Sequence, residues 1–242
     1  MVMVKAELDM LLNNKTLSLM QPTYLPWLGY FNLIKNSDEF IFYTTTQLSK
    51  RSWQTRNKIK SLNSNLMLTI PIIKSESRDN LSIENAKVQN EINWQENHLK
   101  SINQCYSKAP FFEQIYPLIS GILLKKSNYL IDYTIPIILS FLEVLEIQTK
   151  ISFSKEINYS GKKNEALISI CKEQKANKYL SVQGSKDYIL NGENLFEKNN
   201  INLLWHEYDH PKYNQLTSLF ESHLSIIDSL FMLGIDGVKK II

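Results

Sequence analysis

Residues 17–43 read LSLMQPTYLPWLGYFNLIKNSDEFIFY, and this stretch sets the fold class. Residues 17–20 form a short apolar run stopped by Gln21 and Pro22, which predicts a buried strand. Pro22 and Pro26 bracket a loop. From Trp27 to Lys35 apolar residues stand at 27, 28, 30, 31, 33 and 34, the spacing of a helix with a wide buried face. Pro26 suits the helix start, where a missing N–H costs nothing. Residues 40–43 are aromatic and β-branched, as in a second buried strand. Strand, loop, helix and strand in this order make a βαβ unit of a parallel sheet with a right-handed crossover. Ligands of such sheets bind beyond the carboxyl ends of the strands. Residues 21–26 follow the first strand and residues 44–47 the second.

The pattern continues outward. Residues 1–15 read as a polar extension. Residues 67–70, before Pro71, read as a third strand, and residues 81–83 as a short one. Residues 94–147 are helical in pattern, punctuated by Pro110, Pro117 and Pro136, and Pro136 is expected to kink or divide the last helix. Strands are expected at 151–153, 179–181 and 202–206, and helices at 162–173, 185–190 and, for the most part, 213–233. The expected fold class is α/β: a Rossmann-like parallel sheet with a helical insertion. Residues 16–91 form the first half of the α/β domain and residues 92–148 a helical subdomain. Residues 149–242 form the second half with the C-terminal helices.

Composition excludes several classes. The 242 residues are 43% apolar and 21% charged, which is globular rather than disordered. Only 7 glycines occur, and no two are separated by a single residue, so neither a dinucleotide fingerprint nor a Walker A loop exists. A net charge of +3 is too small to expect nucleic acid as a partner. Cys105 and Cys171 stand far apart, as reduced thiols of a cytoplasmic protein do. The N-terminus is not expected to be a signal peptide, and no apolar run is long enough for a membrane span. No metal is expected, because no His/Cys/carboxylate cluster has ligand spacing. Self-association is left open.

Three segments could carry chemistry. QPTYLPWLGYF offers Gln21, Tyr24, Trp27, Gly29 and Tyr30 as the walls of a rigid aromatic pocket for a ring-shaped or sugar ligand. Gln21 must place its amide somewhere polar. Helix core is the competing reading of the aromatics. QLSKRSWQTRNKIK supplies Gln47, Lys50, Arg51, Trp53, Arg56 and Asn57. Lys50, Arg51 and Arg56 can converge on phosphates as an anion clamp, against the competing reading of a solvated basic helix face. SVQGSKDY offers Ser181, Gly184 and Lys186, with Gly184 allowing close approach and a helix start favouring an anion. His98, His210 and Asp228 are the acid/base or amine-orienting candidates. Asp228 stands out because a carboxylate on an apolar helix must be paired or face a pocket.

These segments, with LTIP and with HPKYNQ followed by LSIIDSLF and a glycine, carry a resemblance. In this order, from about residue 18 to 234, the chain resembles the WbqC-like proteins of bacterial surface-polysaccharide (O-antigen) gene clusters. The resemblance implies modification of an amino sugar carried on a nucleotide, with an amino acid such as glycine or another acyl group attached to its amine. Residues 18–43 are also similar to the first βαβ unit of the HIGH-type nucleotidyltransferases, pantoate–β-alanine ligase above all. Gly29 takes the glycine place, Asp38 precedes the second strand, and Trp27 and Tyr30 stand where two histidines would be. That likeness implies an ATP- and Mg²⁺-dependent ligase making an acyl-adenylate. With the histidines absent, Lys50, Arg51, Arg56 and Lys186 must supply the charge, or the cleft positions an amine against a preactivated donor. A non-catalytic nucleotide-sugar-binding or scaffold protein is the alternative.

Overall fold

The polar and apolar patterning folds into eight helices and seven strands among the described residues of a computed structural model, which describes residues 14–62, 64–73, 81–189, 192–217 and 219–242. Most of the expected N-terminal extension, residues 74–80 and the end of the helix expected at 185–190 lie outside the described residues. The strands are β1 (Thr16–Met20), β2 (Glu39–Phe42), β3 (Arg56–Lys60), β4 (Asn65–Thr69), β5 (Lys150–Phe153), β6 (Lys178–Val182) and β7 (Asn202–His206). The helices are α1 (Leu28–Lys35), α2 (Trp94–Tyr106), α3 (Phe112–Leu123), α4 (Ile131–Val144), α5 (Asn164–Glu173), α6 (Lys186–Ile189), α7 (Glu193–Lys198) and α8 (Ile226–Lys239).

The chain divides into two compact units. The first comprises the described part of Met1–Met20 with Asn32–Tyr43 and Thr149–Asp209. It holds a five-stranded sheet of order β5-β2-β1-β6-β7 in which every neighbour is parallel. The α/β, Rossmann-like expectation therefore holds. The order of strands reverses between β1 and β6, which is the switch point of such a sheet. The β1–β6 ladder covers only Thr16 with Lys178 and Leu17 with Tyr179, whereas β6 and β7 pair over five residues each. Leu17, Leu19, Ile41, Ile170, Tyr179 and Phe196 belong to the apolar core that buries the sheet against its helices.

A carboxylate is also buried in this sheet. Glu39 of β2 is fully buried and meets Lys15 at 2.5 Å and Lys150 at 3.0 Å, with Ser152 Oγ donating to it. Burial alone would raise its pKa. Hydrogen bonds from Lys15, Ser152 and Lys150 outweigh that and hold it below the usual carboxylate range.

The second unit comprises Gln21–Phe31, Thr44–Gln148 and His210–Ile242. Here β3 and β4 form an antiparallel hairpin, Arg56 opposite Thr69 and Lys60 opposite Asn65. The basic segment therefore ends as a strand, not as a helix face. Asn57, Ile59 and Lys60 are buried, with Leu68 opposite Asn57 on the facing strand. The strand expected at 81–83 is a single bridge, Gln47 to Ser82, leading into a 3-10 turn at Ile83–Asn85. Helix α4 contains Pro136 without being divided. The helix expected over 213–233 begins only at Ile226, because Tyr213 and Gln215 turn their side chains onto Asp228 instead of continuing a helix. α8 breaks at Gly234, whose φ of 69° and ψ of 179° lie outside the helical region. A side chain there would also meet the Phe111 ring at 2.7 Å, so backbone and packing both call for glycine.

Candidate functional site

The basic segment is tied down at both ends by its backbone. Leu48 N–H donates to the Leu81 carbonyl at 2.8 Å, and Ile70 N–H to the Thr55 carbonyl at 2.8 Å. The Ser52 carbonyl accepts from both the amide and the hydroxyl of Thr55, which closes a turn before β3. Between these anchors lies a cleft of about 800 Å³, within the usual size of a small-molecule site. Lys50, Arg51 and Arg56, three candidates from the sequence, line it together with Gln47. No carboxylate is among its described lining residues.

Two features show that this wall is built rather than merely solvated. Arg56 is partly buried, its guanidinium lies 5.9 Å from the centre of the Trp53 ring, and its Nε is buried with no hydrogen-bond partner among the described residues. Ser52 Oγ and Gln54 Oε1 share that condition. A buried polar group without a partner costs about 1–3 kcal/mol, and a donor such as Nε is satisfied by an anion. Arg51 adopts φ 53°, a left-handed conformation that strains a non-glycine residue. Trp53 is half exposed beside Arg56.

The loop after β1 is a different kind of structure. Tyr24 is fully buried and Tyr30 nearly so, and burial pushes both phenols well up from their usual pKa. Tyr30 OH donates to the Gln21 carbonyl at 3.1 Å. The Gln21 side chain donates to Thr46 Oγ1 at 3.0 Å and accepts from Gln54. Asn57 Nδ2 donates to the carbonyls of Tyr24 and Leu25, at 3.2 and 2.6 Å, and so holds Leu25 at φ 46°. Gln21, Tyr24, Tyr30 and Asn57 thus brace the loop from within. Trp27 folds its indole over Gly29, where a Cβ would come within 2.1 Å of the ring. Trp27 packs against its own turn, and Tyr30 ties the helix to the loop.

His98 joins that bracing. Thr69 N–H donates to Nε2 at 3.2 Å, so the ring proton sits on Nδ1 and is shared with Tyr24 Oη at 2.9 Å. Burial brings its pKa down to about 4. It is a neutral link between α2, β4 and the loop.

Asp228 is fully buried at the start of α8. It accepts from Tyr106 OH at 2.7 Å, Tyr213 OH at 2.8 Å and Gln215 Nε2 at 3.0 Å. Burial raises its pKa, and the three donors moderate the rise. His210 lies near-parallel to Trp27, with ring centres 6.2 Å apart, and 5.2 Å from His223. Burial lowers its pKa, and the nearby His223 adds to the effect. Tyr213 and Gln215 also line a second, smaller cavity of about 390 Å³ with Lys212 and Phe220.

Ser181, Gly184 and Lys186 belong to the other unit. Ser181 is buried in β6 and Gly184 faces open space. Lys186 Nζ lies 5.4 Å from the centre of the Trp205 ring. Four residues of the helix it opens, Lys186–Ile189, are described. Nearby, His206 Nε2 pairs with Asn32 Oδ1 at 2.6 Å, a contact between remote segments that no local pattern signals. Among the described residues, no group of three or more His, Cys, Asp or Glu could hold a metal, and no helix is long and apolar enough to cross a membrane.

Comparison with known proteins agrees with the motifs. No solved structure matches the chain significantly. The Mycobacterium tuberculosis protein Rv1507c, which is uncharacterized, is 30% identical over 225 residues, covering 92% of this chain and 96% of that protein. The WbqC-like protein family matches residues 21–240, a span that includes the loop, the basic hairpin and the Asp228 anchor. The chain therefore belongs to the WbqC-like protein family.

Proposed function

We propose that the protein acts in bacterial surface-polysaccharide biosynthesis on a nucleotide-linked amino sugar. Lys50, Arg51 and Arg56 hold its phosphates. The reaction attaches an amino acid, glycine in the simplest case, or another acyl group to the sugar amine. The observation that carries this reading is the cleft of about 800 Å³ with three cations on its wall and a buried, unpartnered Nε on Arg56. A diphosphate satisfies such a wall, and arginine can bind it bidentately.

The acyl group comes from a preactivated donor. The amine attacks the donor carbonyl, the C–N bond forms, and the leaving group departs as the amine gives up its proton. The transfer written in this way needs neither ATP nor Mg²⁺. Catalysis on this reading is mainly positioning. The two unpaired cysteines suit a cytoplasmic protein.

One observation favours the alternative of a non-catalytic binding or scaffold protein. His98 and Asp228 are both engaged by protein partners, which leaves neither as a ready general base. Calorimetry with UDP-glucosamine tests the shared part. Arg56→Gln is expected to weaken binding at least tenfold with an unchanged melting temperature, and equal affinity would remove the cleft from the reading. Mass spectrometry of the sugar nucleotide, incubated with glycine thioesters, then separates the two. A product heavier by one glycyl group supports the transferase, and unchanged mass with retained binding supports the binding protein.

A further inference from the structure

The cleft with the three cations also has an aliphatic lining. Leu48, Ile70, Pro71, Ile72, Ile73 and Leu81 line the same space as the three cations. The backbone holds this wall in place: Ile73 N–H donates to the Lys87 carbonyl at 2.9 Å, Gln89 N–H donates to the Pro71 carbonyl at 2.9 Å, and Ile72 bridges to Val88. Ile73 nonetheless leaves 48% of its surface exposed. A nucleoside diphosphate satisfies the cationic side of this space and leaves an aliphatic side without a matching group. Leu48, Ile72 and Leu81 are partly buried beside Ile73, and an exposed aliphatic side chain on a partly buried aliphatic lining next to cations suits a ligand with both a charged head and an apolar chain.

We propose that the cleft takes a phosphate or diphosphate joined to an aliphatic chain. The head sits against Lys50, Arg51 and Arg56, and the chain lies along Ile72, Ile73 and Leu48. Two sources offer a diphosphate and an aliphatic chain in one molecule: an isoprenoid diphosphate, in which the two are joined directly, and an acyl coenzyme A, in which pantetheine links them. The inference rests on the cleft being a phosphate site, as in the function proposed above.

The experiment measures dissociation constants at one fixed salt concentration for pyrophosphate, UDP, farnesyl diphosphate and octanoyl-coenzyme A. Burial of each methylene is worth roughly fourfold in affinity, so even partial burial of a chain is readable. Farnesyl diphosphate or octanoyl-coenzyme A is expected to bind at least tenfold more tightly than pyrophosphate, and the tighter of the two names the source. Ile73→Ser, at an exposed position, is expected to remove most of that gain while leaving pyrophosphate binding unchanged. Arg56→Gln is expected to weaken all four probes. Equal affinity of the chain-bearing probes and pyrophosphate overturns the inference and leaves the phosphate site standing. A gain that survives Ile73→Ser also overturns it, since the chain then lies elsewhere. Absence of binding by all four probes overturns both the inference and the phosphate reading beneath it.

Discussion

The indole of Trp27 occupies the space that a side chain at residue 29 would need: a Cβ built on Gly29 falls 2.1 Å from Trp27 Cη2. The ring also lies near-parallel to His210 and 4.7 Å from the ring centre of His223. The glycine of WLGYF is thus explained by packing within the second unit. Gly29→Ala is expected to push the indole off this seat at a cost of about 1–3 kcal/mol, the usual cost of overpacking. Urea unfolding would show a lower midpoint, and tryptophan fluorescence would shift. An unchanged midpoint would show that the indole has another place to go.

Asn57 holds two carbonyls of the loop, those of Tyr24 and Leu25. Asn57→Ala leaves buried acceptors without their donor and releases the left-handed Leu25. The expected loss is about 2–6 kcal/mol, from roughly 1–3 kcal/mol for each of the two unsatisfied carbonyls. Leu25→Gly in that background should recover part of it, because glycine adopts positive φ without strain. No recovery would argue that the loop does not depend on its strained residue.

His98 makes stability fall in mild acid. In the unfolded chain an imidazole takes its proton near pH 6.5, while the buried, folded one does so only at about 4. Between these values the unfolded state binds the extra proton. Stability therefore holds above about pH 6.5 and drops as pH falls, by about 3 kcal/mol in all. His98→Gln should flatten this part of the profile, read as urea midpoints from pH 7 to 4. Parallel profiles for variant and wild type would show that His98 is not the group titrating.

Asp228 works in the opposite direction. Its folded pKa is raised by burial, so just above the ordinary carboxylate range the folded state keeps a proton that the unfolded state has lost. The contribution is present at low pH and declines as pH rises through the raised value. Asp228→Asn is expected to cost about 1–3 kcal/mol at low pH, because its amide cannot satisfy all three donors, and less as pH rises. A penalty independent of pH would show that Asp228 titrates alike in the folded and unfolded chains.

The first βαβ unit could be read from residues 17–43 because apolar period and proline placement are local properties, and β1, α1 and β2 formed within a residue or two of the expected positions. The basic hairpin was harder. In RNKIK polar Asn57 and Lys60 are buried along with Ile59, on both faces of β3, so no apolar alternation marks the strand. These side chains tolerate burial only because remote groups receive them: the Tyr24 and Leu25 carbonyls for Asn57, and the Leu219 carbonyl for the Lys60 ammonium.

The same division runs through the candidate site. Residue type and order, by themselves, determined the α/β class, the family and the grouping of Lys50, Arg51 and Arg56 in one segment. Tertiary structure alone decided which polar side chains remain for a ligand. Gln21, Asn57, His98 and Asp228 look in sequence as available as Arg56, yet each spends its hydrogen bonds on partners far along the chain. A hydrogen-bond donor has a fixed capacity, and only the folded chain shows where that capacity is already used.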